Sequence, residues 1–132
     1  MAATPTPTIA ERCVFCQIIA GTAPATFVRE WDNAVAILPL DGVTEGHVLV
    51  LPRRHVDNAV TDPPTTGQTA TRAAELGAEL NSDLNLITSV GAAATQTVHH
   101  LHVHLVPRAA GDGLPLPWTP QQAAARPTAA LD

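Results

Sequence analysis

Lysine and tyrosine are absent from this chain of 132 residues, and cysteine occurs twice. All seven basic residues are arginines, which excludes a P-loop lysine, a lysine Schiff base and a polylysine tract. Aromatic residues make up only 3%, namely Phe15, Phe27, Trp31 and Trp118, so Ala, Val, Ile and Leu must fill the core. No stretch approaches the ~20 apolar residues of a membrane span, and the first ten residues lack a charged start followed by an apolar run. No membrane partner and a cytoplasmic location are therefore expected. With a net charge of -5 and scattered arginines, no basic stripe is present to hold a nucleic-acid backbone. A small anionic ligand stays open.

What the chain does have is enough length and 45% hydrophobic content for one domain with one core. Residues 1–12 alternate Thr and Pro before turning polar, residues 113–132 are rich in Pro and Ala, and both read as tails around a domain of residues 13–112. Inside it, residues 14–19 form a short apolar helix that stops at Gly21 before Pro24. Residues 26–30, 34–38 and 47–51 are short strands separated by turn residues, forming an antiparallel meander. Pro63 and Pro64 open a helix over residues 65–81 whose buried stripe is expected at Ala70, Ala73, Ala74, Leu76 and Leu80. Two more strands follow, over residues 84–90 and 98–106. Strands with a helix laid on one face make an α+β fold.

Reactive side chains concentrate in one place. Six histidines are present and four lie between positions 99 and 104. In His100-Leu101-His102-Val103-His104-Leu105 the imidazoles alternate with aliphatic residues, which is the period of a strand and puts three imidazoles on one face. Successive same-face side chains lie about 6.5 to 7 Å apart. Such a row suits metal ligation, or nucleophilic attack by a neutral imidazole on phosphorus. His99 falls on the opposite face. Cys13 and Cys16, separated by two residues, point to metal binding or redox chemistry rather than a structural disulfide.

The stretch Gln96-Thr97-Val98-His99-His100-Leu101-His102-Val103-His104-Leu105-Val106-Pro107-Arg108 closely resembles the signature of the histidine triad (HIT) superfamily. Cys13-Val14-Phe15-Cys16-Gln17-Ile18-Ile19-Ala20-Gly21 looks like that family's first helix. Gly46-His47-Val48-Leu49-Val50-Leu51-Pro52-Arg53-Arg54-His55 looks like its Gly-His-x-Leu-Val-x-Pro-basic-basic-His strand. The resemblance implies a five-stranded antiparallel sheet with one short and one longer helix, paired as a homodimer. It also implies a hydrolase that cleaves nucleoside phosphate anhydrides, esters or phosphoramidates at the α-phosphorus through a nucleotidyl-histidine. Transfer to phosphate or another acceptor would use the same intermediate, and a binding module without turnover is the reading from another class.

By position, the resemblance makes His102 the nucleophile, with His100 and His104 as the flanking triad members and Thr97 bonding the phosphate or the leaving group. Gln96 stands where the diadenosine-polyphosphate branch has glutamine, and the sequence from Pro107 to Asp112 resembles that branch. Phe15, Ile18 and Leu40 match the apolar wall for the base, His47 faces the pocket in relatives, and Ser89 stands where relatives carry Asn beside the phosphate. Pro39 replaces the Asp that contacts ribose hydroxyls, and Asp41 lies two positions on. A structural zinc is implied on Cys13, Cys16, His55 and His100, a closed S2N2 set. With lysine absent, positive charge for a phosphate must come from imidazole or from an arginine such as Arg108. Trp118 is expected either to close a partner's pocket or to lie against the surface.

Overall fold

A computed structural model of the protein describes residues 5–117; Trp118 lies outside the described residues. The strands are β1 (Phe27–Glu30), β2 (Ala34–Ile37), β3 (Val48–Pro52), β4 (Leu84–Ile87) and β5 (Val103–Pro107). They pair antiparallel in the order β1-β2-β3-β5-β4. The helices are α1 (Ile9–Arg12), α2 (Val14–Ala20) and α3 (Pro63–Leu80). No helix among the described residues is long and apolar enough to cross a membrane.

Strand alternation divides the interior into two cores. Val35, Ile37, Leu49 and Leu51 pack with Phe15 and Ile18 of α2, while Ala36, Val48, Val50, Val103 and Leu105 pack with Ala73 and Leu76 of α3. The expected α+β sheet is therefore covered on both sides at its centre, which is why every residue of β2 and β3 is buried. Because Val103 and Leu105 serve the α3 core, their neighbours His102 and His104 must turn to the α2 side. Gly21 ends α2 in the left-handed conformation, φ 82°, a backbone state that costs glycine nothing.

Three expectations change. The histidine strand is shorter: only Val103–Pro107 is strand, so His100 and His102 precede it. Beyond Pro52 the partner strand bends away, and the Leu101 amide bonds to the Val56 carbonyl instead of a ladder. Leu101 is nonetheless buried like Val103 and Leu105. Second, α3 begins at Pro63, and its buried stripe is Thr65, Thr69, Ala73, Leu76 and Gly77. Ala70, Ala74 and Leu80 face outward. Thr69 tolerates burial because its hydroxyl donates to the Thr65 carbonyl, 2.8 Å away. Third, the leading tail holds one helical turn, α1, capped by the Thr8 hydroxyl accepting from the Glu11 amide at 3.1 Å.

The two-core arrangement predicts a contrast in stability. Leu105→Ala empties a fully buried position and should cost about 2–5 kcal/mol in urea unfolding. Val60→Ala, at a residue 69% exposed, should stay within about 0.5 kcal/mol.

Candidate active site

Four side chains distant in sequence converge where α2 begins. The ligand atoms of Cys13, Cys16, His55 and His100 all lie within 4.8 Å of one another. Cys13 Sγ is 3.4 Å from His100 Nδ1, and Cys16 Sγ is 3.3 Å from His55 Nδ1 and 3.6 Å from His100 Nδ1. The two Nδ1 atoms are 3.1 Å apart. A tetrahedral zinc with ordinary bond lengths requires roughly 3.3 Å between two nitrogens and roughly 3.5 Å between nitrogen and sulfur. The side chains thus already hold the edges of that tetrahedron.

Proton positions agree. The His100 Nε2–H donates to the Pro52 carbonyl at 2.8 Å, and the His55 Nε2–H donates to Asp57 Oδ1 at 3.0 Å. Each ring is left with a lone pair on Nδ1. Two lone pairs facing each other at hydrogen-bond distance repel unless a cation lies between them, and an oriented second N–H is the usual support of a zinc-bound imidazole. The Cys16 amide donates to Cys13 Sγ at 3.3 Å. Burial, then the neighbouring Cys13, push the Cys16 thiol up to about 11, so a metal bound here must displace a proton. Neither cysteine is in a disulfide. Protein atoms supply all four ligands, and the arrangement is that of a structural zinc site.

The other two triad histidines are fixed by different acceptors. His102 Nδ1–H donates to the His100 carbonyl at 2.8 Å, which leaves the Nε2 lone pair free. Burial lowers its pKa and keeps the ring neutral. Phe15 meets His102 edge to face with ring centres 5.1 Å apart, and His104 lies 5.1 Å from it centre to centre. His104 takes its orientation from His47. The Val43 amide donates to His47 Nδ1 at 3.1 Å, so the proton of His47 sits on Nε2 and is donated to His104 Nδ1, 3.0 Å away. His104 is left with an Nε2–H for a ligand. Burial, then the charges His102 and His47 would carry, lower His104 to about 4.

Above these two rings opens a cavity of about 840 Å³. Phe15, Ile18, Ile37, Leu38, Pro39 and Leu40 form its apolar wall, and Thr97, His102 and His104 its polar end. Phe15, Ile18 and Leu40 are thus brought together as the resemblance implied. His47 and Ser89 are not among the lining residues; His47 stands behind His104. Gln96 is buried, and its amide is used up within the loop: Oε1 accepts from the Gly91 amide, and Nε2 donates to the Asp57 and Val98 carbonyls. His100 is fully buried and reaches the site through its carbonyl. No carboxylate among the described residues lines the cavity, Asp41 included. Arg108 is occupied elsewhere, forking onto Asp112 and donating to Asn85 and the Leu114 carbonyl. Asp57, the Pro52 carbonyl and the Val43 amide were missed in the sequence. Only Asp57 carried a signal there, as an acid two residues beyond a ligand histidine.

Metal removal tests the first half of this site. Chelation should lower the melting temperature by roughly 10–20 °C, as expected for a ligand standing ~1,000-fold above its Kd. Asp57→Ala should weaken zinc binding about 10- to 100-fold, measured by competition with a chromogenic chelator. Protein as purified that holds no zinc and melts unchanged in chelator would contradict the assignment.

Comparison with known proteins places the chain. The family model described as HIT domain matches residues 20–111. An uncharacterised HIT-like protein of Mycobacterium tuberculosis is 41% identical over 109 residues, covering 77% of this chain and 75% of that one. Adenylylsulfatase HINT3 of Arabidopsis thaliana is 32% identical over 113 residues, 81% of this chain and 57% of that one. Among solved structures, a zinc-bound histidine triad family protein from Mycobacterium smegmatis superposes with a TM-score of 0.69 at 35% identity, covering 87% of this chain and 88% of that one. A family model spanning most of the chain, on a fold that turns two oriented imidazoles into an apolar cavity, makes this protein a member of the histidine triad family.

Proposed function

We propose that the protein hydrolyses nucleoside phosphate derivatives at the α-phosphorus through a covalent intermediate on His102. One observation carries the reading: His102 gives its ring proton to the His100 carbonyl, which leaves a bare Nε2 on a residue that lines a largely apolar cavity. The apolar wall suits a base or another flat apolar group. Thr97 and His104 then offer an O–H and an N–H to the non-bridging phosphate oxygens. The adenylylsulfatase relative supports an adenylyl phosphate joined to an anionic leaving group.

The steps balance. The Nε2 lone pair forms the P–N bond while the bond from phosphorus to the leaving group breaks and its electron pair departs with that group. The His102 ring then carries a positive charge, which the His100 carbonyl at Nδ1–H stabilises. Water next attacks phosphorus, the P–N electrons return to Nε2, and one water proton is released. Sulfate or phosphate leaves as a stable anion. An amine must be protonated as it leaves, and His104 Nε2–H is the nearest oriented donor. Cys13, Cys16, His55 and His100 would hold a zinc ion whose contribution is structural, fixing the backbone that orients His102.

The test is a panel of adenosine 5′-phosphosulfate, diadenosine polyphosphates and adenosine phosphoramidates, with quenched reactions read by mass spectrometry. An adenylyl adduct on His102 is expected, and His102→Ala should lose at least ~10³-fold in rate. Adduct followed by transfer to phosphate instead of water would assign a phosphorylase. No turnover and no adduct on any substrate would leave a binding module. The pH profile checks the hydrogen-bond chain. His104 keeps its lone pair for His47 until pH falls toward 4, so the acid limb of kcat/KM should lie below pH 6 rather than near the ~6.5 of free imidazole.

A further inference from the structure

Thr97 and Val98 form a wall between two cavities. Beyond them lies a second cavity of about 480 Å³ lined by Arg12, Cys13, His55, Asp57, Thr97 and His99 among others. Val14, Thr97 and Val98 line both spaces. The two spaces therefore meet at Thr97, which belongs to the polar end of the larger one.

Arg12, Thr97 and His99 keep uncommitted donors there, whereas Cys13 and His55 belong to the metal set. Six arginines fall in the described residues, and five of them, Arg29, Arg53, Arg54, Arg72 and Arg108, pair with carboxylates. Arg12 alone among them has no carboxylate partner. It donates one N–H, from Nε to the Thr8 carbonyl at 3.4 Å, which leaves its outer donors free. The side chains of His99 and Thr97 hydrogen-bond to nothing among the described residues. Asp57 is the one acid of the cavity, and its Oδ1 already accepts from the His55 ring at 3.0 Å. A guanidinium whose outer donors are free is suited to a bidentate oxyanion, because its planar fork meets two oxygens at once.

We propose that this second cavity receives the leaving group, with Arg12 as its anion-binding residue and His99 and Thr97 as further donors, which selects substrates whose leaving group is sulfate or phosphate. The inference rests on attack by His102 and adds a direction to it. As the bond from phosphorus breaks, the departing electron pair comes to rest on an oxyanion that needs a countercharge and no proton. The cavity around Thr97, His102 and His104 contains no arginine. Arg12, reached past Thr97, supplies that charge, while a neutral amine gains nothing from it.

The zinc-loaded full chain is tested with two adenylyl substrates, the 5′-phosphosulfate and the 5′-phosphoromorpholidate. Arg12→Gln should lower kcat/KM at least about 10-fold for the phosphosulfate and less than about 2-fold for the morpholidate. Arg54→Gln, an arginine on the outer surface paired with Asp62, should change neither. Equal losses on both substrates, or none on either, overturn the proposal. Calorimetry with inorganic pyrophosphate needs no turnover: binding should weaken at least about 10-fold in Arg12→Gln and hold in Arg54→Gln. Binding that is equal in wild type and Arg12→Gln, or too weak to detect in wild type, overturns the second site whatever the turnover. Intact, Arg12-dependent binding without a His102 adduct overturns only the hydrolase reading. If Arg12→Gln loses zinc, His99→Gln takes its place, with a smaller selective loss expected on the phosphosulfate and equal or absent losses again overturning the proposal.

Discussion

His100 is completely buried, and three of its polar atoms do three separate jobs. Nδ1 faces the two thiols and His55, Nε2–H is bonded to the Pro52 carbonyl at the end of β3, and the backbone oxygen receives the proton of His102. A metal on Nδ1 therefore sets the ring, the ring is tied to the sheet, and the same residue's carbonyl decides which nitrogen of His102 is left bare. Burial pushes His100 down to about 4, which makes its protonated form unfavourable by roughly 3 kcal/mol relative to a free imidazole. That penalty acts in the same direction as zinc, since both require the neutral ring. The ion pairs on the surface are worth far less, at most about 1 kcal/mol each, and none of them reaches the triad.

The two-sided sheet explains why the site lies where it does. Val103 and Leu105 are claimed by the α3 core, so His102 and His104 have only the α2 side available, and α2 with its N-cap Cys13 brings Phe15 and both cysteines to meet them. One short helix thus forms a wall of the cavity and, together with its N-cap Cys13, supplies half the metal ligands. Zinc joins α2 to the loops that follow β3 and precede β5, and a seven-residue helix has little other means of holding its place, since helices this short are marginal on their own. The zinc anchorage and the shape of the ligand cavity are consequently one structural problem.

Much of this was legible in the residues. Alternation of His with Leu and Val put the imidazoles on one side, and the resemblance to the histidine triad family pointed to the donor set of Cys13, Cys16, His55 and His100. The length of the strand was not legible, because alternation reports an extended backbone and not a partner; past Pro52 the partner has gone and the chain remains extended without a ladder. The buried face of α3 was misjudged for a different reason. Thr65, Thr69 and Gly77 carry a polar or absent side chain, so a search for aliphatic residues passes over them, although they share a stripe with Ala73 and Leu76. Arg12 and α1 were lost in a segment whose composition resembles a tail, and Arg108 looked available until its fork onto Asp112 was seen.

Charge accounting separates the metal from the chemistry. Two thiolates neutralise a zinc ion, both imidazoles are neutral, and four protein ligands leave no coordination position for water or phosphate, so the centre cannot act as a Lewis acid on a substrate without first losing a ligand. The cavity above His102 contains neither arginine nor lysine, and its histidines are held neutral by burial. Stabilisation of a transferring phosphoryl group there must come from oriented N–H and O–H dipoles, which are effective in surroundings this apolar because little water screens them and they need not reorganise. Dipoles serve one phosphorus well and a chain of phosphates poorly. A second negative centre on the substrate needs a formal positive charge, and among the arginines of the described residues only Arg12 is both close to Thr97 and free to provide one.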